Sequence, residues 1–251
     1  MKHMRVVVVG ASSGLGRCIG IGLAHDGAHV ALLARRRDRL VRAAEEAGNG
    51  AAAIACDVTD EGSCREAIAG AAELLGGIDG LVYSTGTMVV APLEAVDAAT
   101  WAHTFATNVT GAALVTAAAL PHLAAANGVA VYLSSVSASL TPPWPLIGSY
   151  VVSKAALDKL VEAWRAEHPS IGFTRLTVGD CPGGQGESST EFASDADPEV
   201  LGPAIEDWIA RGYMNGGLID VDHMVEVVGA ILRCGRSSSL PMVTIAPRAP
   251  A

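Results

Sequence analysis

The chain is poor in aromatic residues, in cysteine and in positive charge, and one long stretch carries no charge at all. Only 4% of its 251 residues are Phe, Trp or Tyr although half are hydrophobic, so the apolar content is mostly small side chains suited to close packing between helices and a sheet. The five cysteines, at 18, 56, 64, 181 and 234, are odd in number and form no Cys-x-x-Cys. That pattern excludes a disulfide framework and a zinc-ribbon spacing, and points to a reducing cytoplasm. The net charge is −9, and the basic run of note is Arg35-Arg36-Arg37, which argues against a nucleic-acid or anionic-membrane surface. The start MKHMRVVVVG meets a glycine after four valines and so lacks the apolar core of an export signal. His25 and His29 are separated by Gly27, and His103 and His122 stand alone; no metal site is expected.

From Ala98 to Ser153 there are 56 residues without Asp, Glu, Lys or Arg. Asn108, Gly111, Pro121, His122 and Asn127 interrupt this segment, so it is expected to be buried in protein rather than to span a membrane. The charge that ends it is Lys154, four residues after Tyr150.

Short β-rich runs alternate with helical patterns along the whole chain. Strands are expected at 5–10, 29–34, 51–56, 80–85, 129–134, 173–178 and 242–247, with helices at 14–26, 36–48, 60–75, 97–125, 149–167 and 220–234. The strands read as continuous apolar runs, as a parallel sheet covered on both faces requires. The fold class is therefore α/β: a Rossmann-like, doubly wound, seven-stranded parallel sheet in three layers, with ligand sites at the carboxyl ends of its strands. No repeat or linker divides residues 1–251, which are read as a single domain. The irregular segment 181–212, with a helix expected at 203–212, has the character of a substrate lid.

The first strand runs into Gly10-Ala11-Ser12-Ser13-Gly14-Leu15-Gly16 and then a helix. Such glycines let the chain turn tightly and bring the unpaired N–H groups of a helix start against a pyrophosphate. At the end of the second strand, where a carboxylate would bind a ribose 2′-hydroxyl, stands Ala34-Arg35. A guanidinium there suits a 2′-phosphate, so NADP(H) is expected in preference to NAD(H). Asp57-Val58 closes the third strand; the pair could hold an adenine, or Asp57 could cap the following helix.

Together with Asn108 in Thr107-Asn108-Val109-Thr110-Gly111, Ser135 in Leu133-Ser134-Ser135-Val136, Tyr150-xxx-Lys154 and Pro182-Gly183, these elements resemble the classical short-chain dehydrogenase/reductase (SDR) family over nearly the whole length. The resemblance implies hydride transfer between a nicotinamide and a small carbonyl or alcohol substrate. It assigns catalysis to Asn108, Ser135, Tyr150 and Lys154. Cofactor contacts would come from Gly10, Ser12, Ser13, Gly14, Leu15, Gly16, Arg35, Asp57, Val58, Gly86, Tyr150, Lys154, Pro182 and Gly183. A phenol is a weak base at neutral pH, with an unperturbed pKa of about 10. The Lys154 ammonium on the same helical face is expected to favour its ionised form. Tyr150 would then pass a proton to or from the substrate oxygen while Ser135 orients that oxygen. Asn108 would hold a water of the proton relay. The uncharged helix faces at 101–125 and 151–163 match the surfaces by which the family forms homodimers or homotetramers.

The chain also departs from the family pattern. Tyr83-Ser84-Thr85-Gly86 stands where Asn-Asn-Ala-Gly is usual, with Gly86 alone retained. Ser135 lies 15 residues before Tyr150, and Ser137 lies at the usual distance of 13, so Ser137 is a second choice. After Pro182-Gly183 the expected threonine is delayed to Thr190. Trp144 could line an apolar substrate pocket or simply pack, and Cys181 reads as a small buried thiol. A rival reading is a non-catalytic NADP-binding sensor or regulatory protein on the same fold.

Overall fold

The computed structural model describes residues 1–194, 196–235 and 238–249. Strands β1 (Arg5–Val9), β2 (His29–Ala34), β3 (Ala52–Ala55), β4 (Gly80–Tyr83), β5 (Val129–Ser135), β6 (Gly172–Val178) and β7 (Met242–Ile245) form one sheet in the order β3-β2-β1-β4-β5-β6-β7. Every pairing is parallel. Helices α1 (Gly14–His25), α2 (Arg37–Ala47) and α3 (Glu61–Leu75) follow the first three strands. Next come α4 (Ala98–Phe105), α5 (Gly111–Ala126), the one-turn α6 (Val136–Ser139), α7 (Gly148–Glu167), α8 (Pro198–Ala210) and α9 (Val221–Arg233).

The period of two along a strand sorts its side chains between two cores. In β1, Val6 and Val8 join Ile19 and Leu23 of α1, Leu40 of α2 and Val228 of α9. Val7 and Val9 point the other way, to Ile68 of α3, Val115 of α5 and Leu157 of α7. All four valines are inaccessible to solvent, and burying each contributes roughly 1.5–3 kcal/mol. This is why the strands show no polar alternation. The strand order reverses between β1 and β4, and the crevice at that reversal is where doubly wound sheets bind ligands.

The helix expected at 97–125 is present as the helical run Ala98–Ala126; contrary to the expectation that Asn108, Gly111, Pro121, His122 and Asn127 leave no span-length apolar run, its 29 residues are long and apolar enough to cross a membrane by length and composition. Pro121 sits within α5 without ending it, and Asn127 in left-handed conformation terminates it. The run is not wholly buried either, since only 33% of its most apolar window is covered. One face packs on α3 and α7. The helix expected at 203–212 starts earlier, at Pro198, because the Asp197 side chain accepts from Glu199 N–H and Pro198 occupies the first helical turn, where its missing N–H costs nothing.

Candidate active site

A cleft of about 860 Å³ opens at the carboxyl ends of β1, β4, β5 and β6. Gly10, Ser12, Ser13, Gly14, Leu15 and Gly16 line one side, joined by Arg35 and Val58. The Gly10 and Ala11 N–H groups tie the loop to Leu33 O at 2.7 and 3.1 Å. A Cβ on Gly16 would collide with Ser84 Oγ and the Gly10 carbonyl, so only glycine lets the helix start this close to β1. Helix geometry leaves the Leu15 and Gly16 N–H groups without intrahelical acceptors. Arg36 reaches back over the loop, donating to Ser12 Oγ at 3.0 Å and Ser13 Oγ at 2.7 Å. Arg35, the residue expected at this position, lines the cleft beside it, and both arginines are exposed. Which arginine of the run turns inward depends on the β2–α2 turn, and the composition of the run carries no signal for it. This donor set fits the phosphates of a dinucleotide.

Gly86, Ser135, Tyr150 and Lys154 line another part of the cleft, and Pro182 lines it next to Gly183, which lies against Gly14. Tyr150 and Lys154 lie one turn apart on α7, both buried. Lys154 Nζ donates to Leu133 O at 2.7 Å and lies 5.8 Å from the Tyr150 ring centre. Burial pulls the Lys154 pKa down to about 8, opposed by Asp158 one turn further along the helix. Burial also pushes the Tyr150 phenol well above its ordinary value, with a hydrogen bond from Ser135 working against the rise. Burial is the largest influence on the phenol, and the lowering expected from Lys154 is not among the causes of its shift. Ser135 and Ser137 do not compete for one position, since their hydroxyls share a hydrogen bond of 2.9 Å and both line the cleft.

Three expected residues stand behind the cleft wall. Asn108 lies in a π turn, Ala106–Thr110, between α4 and α5, a helical irregularity frequent at functional sites. Its amide accepts from Thr87 N–H at 2.8 Å and donates to Thr87 O at 2.9 Å and Ser153 Oγ at 2.8 Å. Most of its capacity thus clamps the β4–α4 loop to α7, a partnership between distant segments that no local motif announces. Asp57 spends its Oδ1 on Thr59 N–H and Oγ1 at 2.9 and 2.7 Å. The cap of α3 is instead Asp60. Gly183 bridges to Ser189.

The far half of the cleft is aromatic. Trp144, from the loop before α7, packs on Trp208 of α8 with ring centres 5.2 Å apart and on Tyr213 at 5.9 Å. Trp208 Nε1 donates to Pro145 O at 3.0 Å. Phe192 stands edge-on to Tyr150, 4.8 Å between centres. Trp144 therefore does both things left open by the sequence, packing as core and lining the cleft. Cys181 also lines the cleft, and burial raises its thiol pKa.

A family model described as short chain dehydrogenase matches residues 4–186. The chain belongs to the short chain dehydrogenase family. It is 31% identical over 221 residues to 3beta-hydroxysteroid dehydrogenase 1 of Eggerthella lenta, covering 85% of this chain and 82% of that protein. It is 35% identical over 180 residues to 11-beta-hydroxysteroid dehydrogenase A of Sesamum indicum, covering 69% of this chain and 51% of the relative. The chain thus spans about half the length of that plant relative. An alcohol dehydrogenase from the archaeon Thermococcus sibiricus, solved in complex with 5-hydroxy-NADP, is similar with a TM-score of 0.81 at 25% identity, over 96% of both chains.

In this short chain dehydrogenase two departures from the family pattern acquire physical reasons. Tyr83 is buried, and its hydroxyl donates to Thr107 O, within the π turn, at 2.6 Å. Gly111 makes room for it, since a Cβ there would lie 2.7 Å from that oxygen. Tyr83→Phe removes this buried hydrogen bond and is expected to destabilise the protein by about 0.5–1.5 kcal/mol, read as a lower urea midpoint. The delay of Thr190 is undone by the chain path. Residues 183–189 close on themselves through the Gly183–Ser189 bridge, and Thr190 N–H returns to Pro182 O at 2.8 Å. Thr190 ends beside Gly14, its Cα 3.4 Å from where a Gly14 Cβ would be.

Proposed function

We propose that this short chain dehydrogenase is an NADP(H)-dependent oxidoreductase. It reduces a ketone or aldehyde carrying apolar bulk, or oxidises the matching alcohol. The observation that carries this reading is the position of Tyr150 at the join of two unlike half-sites, one lined by the glycine loop and arginines and the other by Trp144, Phe192 and Trp208. A bound nicotinamide supplies or accepts the hydride. The chain's own residues handle the rest. Ser135 orients the substrate oxygen, Tyr150 gives it a proton in reduction or takes one in oxidation, and Lys154 holds the ribose side of the site. The aromatic walls exclude water and favour an apolar substrate body.

The NADP(H) preference rests on Arg36 and Arg35 at the end of β2, where no carboxylate of β2 stands to bind a 2′-hydroxyl. Fluorescence titration tests it. Arg36→Ala is expected to weaken NADPH binding by roughly 10- to 100-fold, the range for hydrogen bonds to a charged group, and to leave NADH nearly unchanged. Arg35→Ala should have a smaller effect in the same direction. Equal losses for both nucleotides, or none, would remove the NADP(H) assignment. The uncovered part of Ala98–Ala126 is read as a surface between subunits of a homodimer or homotetramer in the cytoplasm, and sedimentation of the purified protein checks it.

A further inference from the structure

The strap from Pro182 to Ser194 carries acidic residues that the catalytic reading does not use. It crosses the mouth of the nucleotide half and is tied there by several contacts. Ser189 O accepts from Gly14 N–H at 3.2 Å, the first unpaired donor of α1. Arg17 Nη1 donates to Ser188 Oγ at 2.6 Å, and Glu187 pairs with Arg42 at 2.6 Å. Next to Thr190, the Glu191 carboxylate ion-pairs with Arg36 through one oxygen and with Arg39 at 2.5 Å through the other. Arg36 is the same side chain whose remaining nitrogens meet Ser12 and Ser13. Arg39 and Arg36 together hold the Glu191 carboxyl below its usual range.

The strap thus sets a carbonyl and a carboxylate against the donors that a 2′-phosphorylated dinucleotide would use. We propose that Glu191 is an internal stand-in for the 2′-phosphate, a latch that a 2′-phosphorylated nucleotide displaces from Arg36 and Arg39 and that a 2′-hydroxyl nucleotide leaves closed. The inference rests on the reading of Arg36 as a 2′-phosphate ligand. A phosphate monoester carries a charge of about −1.5 to −2 at pH 7 and three acceptor oxygens, against one charge and two oxygens on Glu191, so it wins the guanidinium pair. A ribose hydroxyl offers neither. The consequence reaches the catalytic centre through the chain, because the next residue, Phe192, is the ring lying edge-on to Tyr150. Release of Glu191 therefore loosens the residue that covers the phenol, and the identity of the nucleotide is coupled to substrate access.

The test uses the full chain and calorimetric binding of 2′,5′-ADP and 5′-AMP, which differ only in the 2′-phosphate, to the wild type and to Glu191→Gln. Removing the competing charge is expected to tighten 2′,5′-ADP by about two- to fivefold, the scale of an exposed ion pair, with 5′-AMP unchanged. Hydrogen exchange across residues 182–194 should then rise in the wild type on adding 2′,5′-ADP and stay level with 5′-AMP. If E191Q leaves 2′,5′-ADP binding unchanged, or tightens both ligands alike, the latch is overturned while a wild-type preference for 2′,5′-ADP keeps the cofactor assignment. A wild type without preference that gains one in E191Q would show that the 2′-phosphate does not displace Glu191, which overturns the latch and NADP(H) as the wild-type cofactor together. Absence of preference in both proteins, or of any binding, overturns both.

Discussion

Tyr150→Phe is expected to lose carbonyl reduction by about 10²- to 10⁴-fold, the range for removing a positioned acid, while NADPH affinity stays within about twofold of the wild type. The separation follows from the architecture. The nucleotide half is built by the glycine loop, Arg36 and Lys154, and the phenol stands at its border. Burial raises the Tyr150 phenol above its ordinary value, which under the proposed mechanism keeps the acid ready for reduction at neutral pH. Alcohol oxidation needs the phenolate, and its rate should climb with alkaline pH where reduction does not. Steady-state rates in both directions, with nucleotide binding measured separately, check this. A Phe variant that keeps turning over would remove Tyr150 from the chemistry and leave a nucleotide-binding protein.

Lys154→Met is expected to yield a protein that is more stable at pH 7 and reduced in turnover by about 10²- to 10³-fold, the cost of losing one preorganised donor. The folded protein lowers the Lys154 pKa from 10.5 to about 8. Below about pH 8 the buried ammonium is charged in both states and penalises the fold. Between about 8 and 10.5 the unfolded chain binds the proton and the folded one does not, so wild-type stability rises with pH across that window. The shift corresponds to about 3 kcal/mol. The variant regains it at pH 7 but leaves Leu133 O without its donor, which costs about 1–3 kcal/mol. The net gain expected is about 1 kcal/mol, or a Tm higher by about 2–4 °C. The decisive feature is the trend: in urea unfolding the advantage of the variant should disappear as pH approaches 10. A variant less stable than the wild type at pH 7 would mean that the lysine is not destabilised by burial. Retaining a buried charge at such a cost is understandable if its work lies in the cleft.

Legibility differed from one part of the molecule to another for identifiable reasons. Val6–Val9 read as a doubly covered strand because both cores demand apolar residues, so the run is continuous. Tyr150 and Lys154 could be paired from sequence because a helix fixes residues four apart on one face. Arg36 could not be separated from Arg35 and Arg37, since three consecutive arginines differ only in where the β2–α2 turn aims them. Asn108 was visible as an odd residue within a helix, but its clamp on Thr87 joins segments 21 residues apart. Trp208 and Glu191 offered no local signal, because each meets its partners only after the strap and α8 fold back across the cleft.

The sequence by itself determined the parallel sheet, the order of its helices, the glycine loop and the Tyr150–Lys154 pair. These follow from continuous apolar runs, from a helical period of about 3.6 and from backbone freedom at glycine. Only the tertiary structure decided which arginine faces the glycine loop, what clamps Asn108, how Thr190 returns to Gly14 and what Glu191 holds. Those contacts join residues distant in the chain through single side chains. Their geometry is set by desolvation and ion pairing in a crevice that exists only once the sheet has assembled.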